Sequence, residues 1–553
     1  MPKMSGGQAV IKSLEAEGAE VAFGVMGSTL MPTYDALCDS PIRLIAPRSE
    51  DGAGHMADAA CRVAGGEPGV LLTTVGPGAA GAIGAMGEAY NESWPMLHIS
   101  TQVPSQFVDK QKGVYHDGPD QMKLFKTVSS WQHRITKVGE IPEAINEAYR
   151  RMRTGRPRPV FLEIPSDVLN AEANAKILPS ANIAQPSLPK KAIADAIKRI
   201  KKAKNPILWV GGGAVKSKAM AEVKEIAERL QTPVFCTNGS KGVLPDDHPL
   251  SLGNMLSVSN VLQEEVLAKS DLVIAVGTRF SQRATKQWTV PMPKNIIHID
   301  IDKNEFGRNY KPKVAVKGDA KAVLQAMLTG LEQEGISAKE NRTGKTQEFK
   351  KKALEELKKR QPAEFNLLQD IRKALPRDAI VASQSIMGHW TRFGLECYQP
   401  GCFLFASTYG SMGFSFHAAI GAKARYPDRT VVSFCGDGGF MFGSGEMATI
   451  QKYNLNMPIV IFNNGGYSIL RQRQEMKYGR HIGTELSNPD FMKFAESFGF
   501  KGVRVNEVGE VAPRIEEALA DGKTWVIEVP IEFAGYRSAA ETEQLLRGAT
   551  KTV

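Results

Sequence analysis

Residues 431–464, VVSFCGDGGFMFGSGEMATIQKYNLNMPIVIFNN, decide the fold of this chain and point to its chemistry. Two apolar runs, VVSF and PIVIF, are typical of buried strands, and the segment between them favours a helix. Asp437 follows the first strand, and Asn464 follows the second one 464 − 437 = 27 positions later. Their side-chain oxygens are expected to converge, and oxygen ligands are what Mg²⁺ prefers. The glycines beside Asp437 let backbone N–H groups approach phosphate oxygens.

The composition is that of an ordinary globular protein, and 553 residues predict about three domains. The net charge of +10 comes largely from two runs of helical spacing, KRIKKAK (198–204) and KKKALEELKKR (350–360). These runs lack interleaved aromatic residues, which indicates solvated helix faces and no nucleic-acid partner. We expect no membrane span and a cytoplasmic protein, because no apolar run reaches about 18 residues and no apolar signal core is present. The six cysteines have no regular spacing, which favours reduced thiols over disulfides or zinc.

Three α/β blocks follow one another along the chain. The first covers residues 1–178, the second 190–335 and the third 360–553, with a linker rich in Pro, Ser and Asn at 178–191. In each block, strand-like runs such as GVLLTTVG, DLVIAVG and TVVSFCGDG alternate with helical segments, which favours parallel sheets. The sequence therefore predicts an α/β protein built of three open, doubly wound parallel-sheet domains.

The third block resembles the diphosphate-binding domain of thiamine-diphosphate enzymes. In that family a GDG triplet is followed some two dozen residues later by NN, as Gly436-Asp437-Gly438 is followed here by residues 463–464. The resemblance implies that Asp437 and Asn464 bind Mg²⁺ through their side chains and that Gly466 binds it through its backbone carbonyl. The residues implied to approach the diphosphate are Gly436, Gly438, Gly439 and Ser385.

The first block carries a second part of the resemblance, PRSEDGAGHMADAACRVAGG (47–66). It is similar to the segment that carries the family's catalytic glutamate, so the resemblance assigns this role to Glu50. A carboxyl keeps N1′ of the cofactor's aminopyrimidine protonated, so that the 4′-imine can remove the proton from thiazolium C2. This block would then be the pyrimidine-binding domain, with TTVGPGAAG (73–81) lining the pyrimidine. We expect His55, on the same helix, to be packed rather than catalytic.

The segment TYGSMGFSFHAAIGAK (408–423) resembles the part of the family that bends the cofactor. Met412 matches the bulky side chain that props the cofactor into a V shape. The Gly410 carbonyl and the Met412 N–H match the hydrogen-bond partners of the pyrimidine. The bend brings the imine next to C2, so positioning supplies much of the catalysis.

The second block resembles the central domain of acetolactate-synthase-like enzymes at DLVIAVGTRF (271–280) and IIHIDIDKNEFGRN (296–309). In various relatives this domain holds FAD, ADP or no ligand. The chain has GGG at 211–213 instead of a full dinucleotide fingerprint. An empty structural domain is therefore the default expectation, and FAD or ADP is the alternative. The residues that could touch an adenine nucleotide are Arg279, Asp300 and Asp302.

Two segments bear on the substrate. The loop GVYHDGPDQ (113–121) resembles one that reaches the neighbouring active site in the family, and His116 is expected to orient a substrate carbonyl or relay protons. The segment YSILRQRQ (467–474) aligns with the one that shapes the second-substrate pocket of acetolactate synthase. A tryptophan of that pocket is replaced by Arg473, whose guanidinium suits an anionic group better than an ethyl group. The other residues expected near the substrate are Tyr115, Asp117 and Ile469.

The resemblance spans essentially the whole chain and implies a thiamine-diphosphate enzyme with Mg²⁺. The first expectation is decarboxylation of a 2-oxo acid and carboligation of the resulting enamine to a second carbonyl, as in acetolactate synthase. A simple 2-oxo acid decarboxylase, a lyase of 2-hydroxyacyl-CoA or oxalyl-CoA, and an inactive cofactor-binding subunit are the alternatives. Family members place the glutamate of one subunit against the metal site of another, so a homodimer is the expected minimum and a homotetramer the expected assembly.

Overall fold

The computed structural model describes residues 2–118, 120–183, 187–338 and 340–531. Three parallel sheets with flanking helices lie in these residues, so the predicted fold class, α/β with three parallel-sheet domains, is confirmed. Within these ranges, no helix combines the length and the apolar character that crossing a membrane requires.

The first sheet has six strands in the order β3-β2-β4-β5-β7-β6, and β1 pairs antiparallel with β8 beside it. The strands are β1 (Lys3–Ser5), β2 (Val21–Gly24), β3 (Arg43–Ile45), β4 (Gly69–Thr73), β5 (Met96–Gln102), β6 (Trp131–Arg134), β7 (Val160–Pro165) and β8 (Glu172–Asn174). The helices are α1 (Gly6–Ala16), α2 (Met31–Leu37), α3 (Glu50–Val63), α4 (Pro77–Gly81), α5 (Ile83–Glu92), α6 (Gln121–Phe125), α7 (Ile141–Arg153) and α8 (Ser166–Asn170). Strands β4, β5 and β7 are buried along their whole length, as is typical of the central strands of a parallel sheet.

The second sheet has five strands in the order β10-β9-β11-β12-β13. The strands are β9 (Pro206–Val210), β10 (Val234–Cys236), β11 (Leu272–Val276), β12 (Ile296–Asp300) and β13 (Val314–Lys317). The helices are α9 (Lys190–Lys202), α10 (Gly212–Lys216), α11 (Met220–Leu230) and α12 (Ala320–Gln333), and α13 (Thr343–Arg360) leads on to the third sheet. Three glycines (211–213) follow β9 and Gly277 follows β11, at the point where the strand order reverses, which is where ligands bind in such sheets.

The third sheet has the order β15-β14-β16-β17-β19-β18, which is the strand order of the first sheet. The strands are β14 (Ile380–Ser383), β15 (Phe403–Leu404), β16 (Val431–Gly436), β17 (Pro458–Asn463), β18 (Lys501–Arg504) and β19 (Trp525–Pro530). The helices are α14 (Pro362–Ala374), α15 (Ser385–Gly394), α16 (Phe414–Arg425), α17 (Asp437–Met441), α18 (Met447–Tyr453), α19 (Ser468–Tyr478), α20 (Phe491–Ser497) and α21 (Val511–Asp521).

The segment between β16 and β17 differs from the single helix that the sequence predicts. It consists of α17, a 3-10 turn at Ser444–Glu446 and α18. The break follows Gly443, where a Cβ atom would lie 2.4 Å from His417 Nε2. The chain therefore turns at a glycine because no side chain fits between this turn and α16.

The first and third domains of the chain meet along α3 and α16. A Cβ atom at Gly421 would lie 2.3 Å from the Met56 carbonyl oxygen, so the two helices approach at backbone distance. The carboxylate of Glu446 accepts hydrogen bonds from the Arg48 and Ser49 N–H groups at 3.0 and 3.2 Å. This contact fixes the start of α3 against the third domain.

The second basic run does not lie wholly in solvent. Lys350 is buried, with its Nζ atom donating to the Asp246 carbonyl and lying 3.2 Å from Glu396 Oε1. The prediction of a solvated face was therefore wrong for this residue, because a buried carbonyl and a carboxylate satisfy its charge. Lys358 and Lys359, at the other end of the run, are exposed.

The contact between α3 and α16 contains two buried histidines, and we expect it to weaken in acid. The rings of His55 and His417 are parallel, with centroids 6.0 Å apart, and burial lowers the pKa of both, that of His417 to about 4. The unfolded chain therefore binds the proton more tightly, so stability is complete above about pH 6.5 and falls as the pH drops towards about 4. As the pH falls through this window, we expect the free energy of unfolding to decrease less in His417→Leu than in the wild-type protein. The difference should reach up to about 3 kcal/mol at the acid end. Denaturant titrations at several pH values measure this difference, with His133→Gln as the control. If the free energy of unfolding of His417→Leu fell with pH as steeply as that of the wild-type protein, the assignment to His417 would be wrong.

Candidate active site

The candidate site lies at the carboxyl edge of the third sheet, where its strand order reverses between β14 and β16. Gln384 follows β14, and Asp437 follows β16 as the first residue of α17. Asn464 comes directly after β17, the next strand in the sheet. Open parallel sheets bind ligands in the crevice at such a reversal, so the fold places these side chains where a ligand is expected.

Asp437 is buried, with 3% of its surface exposed. Its Oδ2 atom accepts a hydrogen bond from Asn488 Nδ2 at 2.7 Å, and the Gly466 N–H also donates to the carboxylate. Burial raises the pKa of Asp437 above its ordinary value, while these hydrogen bonds act in the opposite direction. A cation beside the carboxylate would favour its ionised form, as a metal ligand requires.

Asn464 has one oxygen that the protein does not satisfy. Its Nδ2 atom donates to Ser468 Oγ at 2.6 Å, whereas Oδ1 is buried and has no hydrogen-bond partner among the described residues. A buried oxygen without a partner costs about 1–3 kcal/mol. The unsatisfied amide oxygen, the Asp437 carboxylate and the neighbouring backbone of Gly466 form an oxygen donor set that fits Mg²⁺.

The glycines beside Asp437 fit a diphosphate. A Cβ atom at Gly438 would lie 2.6 Å from the Tyr467 ring, so this backbone needs glycine to pack. Gly439 faces open space instead, since the nearest atom to a Cβ built there is Gln384 Oε1 at 3.9 Å. Ser385 is the first residue of α15, and its side chain lies outside the part of the chain that is described.

The turn Gly410–Gly413 lies beside this crevice. Gly410 and Gly413 both have a φ of +81°, and Met412 is 38% exposed rather than part of a core. Gln384 Nε2 donates to the Ser411 carbonyl at 2.5 Å, which ties the turn to the end of β14. The Met412 side chain is therefore available to a ligand, as the resemblance implies.

Glu50 lies half-buried at the start of α3, whose first turn is capped by Ser49 Oγ accepting from the Gly52 N–H at 3.1 Å. Its carboxylate lies over α4, because a Cβ atom at Gly78 would be 3.3 Å from Glu50 Oε1 and one at Gly81 3.5 Å from Oε2. The predicted catalytic carboxyl and the predicted pyrimidine-lining segment are thus brought together. Small residues in α4 are needed because larger ones would displace the carboxylate.

The loop with His116 lies next to α4. A Cβ atom at Gly76, which has a φ of +68°, would lie 2.1 Å from the His116 carbonyl oxygen. Tyr115 is 80% exposed, and its ring stacks on the His116 ring with centroids 3.9 Å apart. The His116 backbone therefore packs against Gly76, which precedes by two positions the glycine next to Glu50, Gly78.

The other predicted substrate residues lie on α19, which begins four residues after Asn464. Ile469 is half-buried and Arg473 is exposed. None of the eleven residues of α19 is buried, so this helix presents its side chains at the surface beside the metal-site candidates.

A cavity of about 310 Å³ lies between the first two domains and reaches the third. Arg279 and Asp300 line it, together with the three glycines 211–213 after β9 and Gly277 after β11. Burial raises the pKa of Asp300 to about 6. Asp302 does not line the cavity. It forms an ion pair at 3.3 Å with Arg156, which does.

Several residues of the site escaped the sequence analysis, among them Asn488, Gln384, Glu446 and Gln121. Gln121 Oε1 accepts from the Gly76 N–H at 3.0 Å and its Nε2 donates to the buried Glu163 at 3.0 Å. Gln121 ends the quoted loop 113–121 but was assigned no role there, and only the fold brings the four side chains to the site.

Three family models match the chain, one for each domain. They are the thiamine pyrophosphate enzyme N-terminal TPP binding domain over residues 4–124, the central domain over 193–327 and the C-terminal TPP binding domain over 385–529. Thiamine pyrophosphate is another name for thiamine diphosphate. The matched ranges include Glu50 in the first domain and both Asp437 and Asn464 in the third.

Relatives of nearly the same length support the match. The chain is 34% identical to "Probable acetolactate synthase large subunit" of Methanocaldococcus jannaschii, covering 96% of this chain and 92% of that protein. It is 31% identical to the acetolactate synthase isozyme 1 large subunit of Escherichia coli, over 96% and 94%. It is also 31% identical to "Probable 2-ketoarginine decarboxylase" of Pseudomonas aeruginosa, over 95% and 94%. The chain therefore belongs to the thiamine pyrophosphate enzyme family and is an acetolactate-synthase-like, thiamine-diphosphate-dependent enzyme.

Proposed function

We propose that the protein uses thiamine diphosphate and Mg²⁺ to decarboxylate a 2-oxo acid and to join the remaining fragment to a second carbonyl compound. The observation that carries the proposal is the buried Asp437 carboxylate beside the unsatisfied Asn464 oxygen, at the reversal point of the third sheet. The acetolactate synthase subunits among the relatives support the joining step.

The chain supplies positioning and proton transfer. When bound, thiamine diphosphate provides the carbanion and the electron sink for cleavage of the bond beside a carbonyl. In the proposal, Asp437, Asn464 and the Gly466 carbonyl hold Mg²⁺, while Glu50 holds the proton at N1′ of the aminopyrimidine. The Gly436, Gly438 and Gly439 backbone, together with Ser385, binds the diphosphate.

The substrate is a 2-oxo acid that lies between α4 and α19. His116, whose loop contacts Gly76, orients the substrate carbonyl, with Tyr115 stacked on its ring. Ile469 and Arg473 bind the part of the substrate remote from the reacting carbon. A guanidinium at this place suits an anionic group on one of the two reactants.

Product analysis tests the reaction. Purified protein with Mg²⁺ and thiamine diphosphate is supplied with pyruvate and then with a panel of other 2-oxo acids, and CO₂ and carbon products are measured. Acetolactate or another joined product supports carboligation. CO₂ with free aldehyde from every substrate would instead support the second candidate, a 2-oxo acid decarboxylase, which the 2-ketoarginine decarboxylase relative favours. Release of formyl-CoA from oxalyl-CoA would support a CoA-substrate lyase.

We propose further that the cavity between the domains binds an adenine nucleotide, FAD or ADP. Its volume of about 310 Å³, the glycine-rich turn after β9 and the Arg279 side chain support this assignment. An absorbance scan of the purified protein detects flavin, and chromatography of the heat-released ligand detects ADP. Protein that carries neither nucleotide and binds neither on titration would contradict the assignment.

A homodimer, or a homotetramer built from it, is part of the proposal. The resemblance supports it, because family members place the glutamate of one subunit against the metal site of another. A solution mass of twice or four times 60.2 kDa by light scattering is expected. A cytoplasmic location is also proposed, which the six free cysteines support.

A further inference from the structure

The turn Gly410–Met412 is held from both sides by polar side chains, one of them buried and the other half-buried. Glu88 Oε2 accepts hydrogen bonds from the Gly410 N–H at 3.0 Å and from the Ser411 N–H at 3.3 Å. On the other side, Gln384 Nε2 donates to the Ser411 carbonyl at 2.5 Å. Gln384 is itself fixed, because its Oε1 atom accepts from the Ser415 N–H at 3.2 Å.

These contacts determine the direction of two further backbone groups. In a trans peptide unit the C=O and the N–H point in opposite directions. The Ser411 N–H that Glu88 holds shares its peptide unit with the Gly410 carbonyl, which therefore points away from Glu88. The Ser411 carbonyl that Gln384 holds shares its unit with the Met412 N–H, which therefore points away from Gln384.

The Glu88 side chain is shielded from solvent. It is fully buried on α5 of the first domain, yet it reaches the third domain across 322 positions of sequence. Its second oxygen lies 3.6 Å from Arg62 Nη2, and Arg62 also makes a bidentate contact with Asp58 at 3.1 and 2.6 Å. A buried carboxylate needs such partners, so its place beside the turn is fixed by a network that an exposed glutamate would not require.

We propose that Glu88 and Gln384 are positioning residues that aim the Gly410 carbonyl and the Met412 N–H at the aminopyrimidine of thiamine diphosphate. This inference rests on the proposed roles of Gly410 and Met412. A turn with two left-handed glycines is flexible, because glycine adopts many backbone conformations. The two side chains restrict the turn before the cofactor binds, so the turn loses less conformational entropy on binding.

Binding experiments with two ligands test the inference. Calorimetric titration gives the dissociation constants of Mg²⁺–thiamine diphosphate and of Mg²⁺–pyrophosphate, which lacks the pyrimidine. We expect Glu88→Ala and Gln384→Leu to bind thiamine diphosphate about tenfold more weakly, since each loses one or two hydrogen bonds to the turn. Binding of Mg²⁺–pyrophosphate should stay unchanged in both variants. Glu88→Gln should restore most of the affinity, because its amide oxygen can accept the same N–H groups.

The control is Glu17→Ala, which removes another buried glutamate of the first domain. Glu17 accepts from the Ala181 N–H at 3.1 Å, away from the turn. The Glu17→Ala variant should unfold at a lower temperature than the wild-type protein but bind thiamine diphosphate with the same affinity. The inference would be overturned if a variant lost equal affinity for thiamine diphosphate and for pyrophosphate. It would also be overturned if Glu88→Gln, Glu88→Ala and Gln384→Leu all bound thiamine diphosphate as tightly as the wild-type protein. Should Glu88→Ala not fold, Gln384→Leu alone decides. Wild-type protein that binds neither ligand would instead refute the proposed function.

Discussion

Glu50→Gln is expected to lose activity by a factor of about 10²–10⁴ while it still binds Mg²⁺ and thiamine diphosphate. Glutamine keeps the shape of the side chain and can lie over Gly78 and Gly81 as the glutamate does. It cannot, however, hold a proton in exchange with N1′ of the aminopyrimidine, so removal of the C2 proton becomes slow. Hydrogen–deuterium exchange at C2 of the bound cofactor, followed by NMR, measures this step without any substrate.

The neighbouring carboxyl provides the control for Glu50. Asp51 lies in the same first turn of α3, and burial raises its pKa to about 6. It faces Gly84 instead of α4, since a Cβ atom there would lie 3.0 Å from Asp51 Oδ1. Asp51→Asn should exchange the C2 proton at nearly the wild-type rate. If Asp51→Asn were slow and Glu50→Gln were fast, the catalytic carboxyl would be Asp51.

Asp437→Ala and Asn464→Ala are expected to abolish the stabilisation that Mg²⁺ with thiamine diphosphate gives to the wild-type protein. A ligand at 100 times its dissociation constant stabilises the folded state by about 2.7 kcal/mol. Without ligand, Asn464→Ala should cost little, because the lost hydrogen bond to Ser468 Oγ is offset by removal of an oxygen that has no partner among the described residues. Thermal unfolding with and without the two ligands measures both effects, and activity should be lost in parallel.

Asn463 provides a matched control next in the sequence to Asn464. Its amide donates to Glu528 Oε1 at 2.6 Å and accepts from the Gly465 N–H at 3.1 Å, so its partners lie within the protein. Asn463→Ala should lower stability without ligand yet keep the ligand-induced increase. An Asn464→Ala protein that kept the full increase would remove Asn464 from the metal site.

Mixing the two kinds of inactive subunit tests where the site is assembled. When Glu50 of one subunit serves Asp437 of another, a dimer of Glu50→Gln and Asp437→Ala chains has one intact site. Random pairing then restores about a quarter of the wild-type activity. When each chain provides both residues of a site, the mixture stays inactive. The result separates the two arrangements without a structure of the complex.

The sequence predicts the central strands of each sheet well, but at one edge of each sheet it predicts no strand. Strands β4, β11 and β16 are buried on both faces, so their sequences are continuous apolar runs. The strands at these edges, β6, β13 and β18, read WQHR, VAVK and KGVR. An edge strand faces solvent and needs little apolar character, so its sequence carries a weaker signal.

The same distinction holds for the candidate site. Asp437, Asn464 and Glu50 are found from motifs because each lies at a strand end or helix start within a local pattern. Glu88 and Glu446 are not found, because each acts on backbone groups 322 to 398 positions away. Only the packing of the first domain against the third brings these carboxylates to their partners, and a local pattern contains no record of that packing.

The unsatisfied oxygen of Asn464 has a consequence for the amount of protein in a cell. A protein that leaves a buried amide oxygen without a partner is less stable when empty than when a cation occupies the site. Cellular proteases degrade chains in proportion to the fraction that opens. We therefore expect the abundance of this protein to follow the supply of Mg²⁺ and thiamine diphosphate, and to fall when either is scarce even if synthesis continues at the same rate.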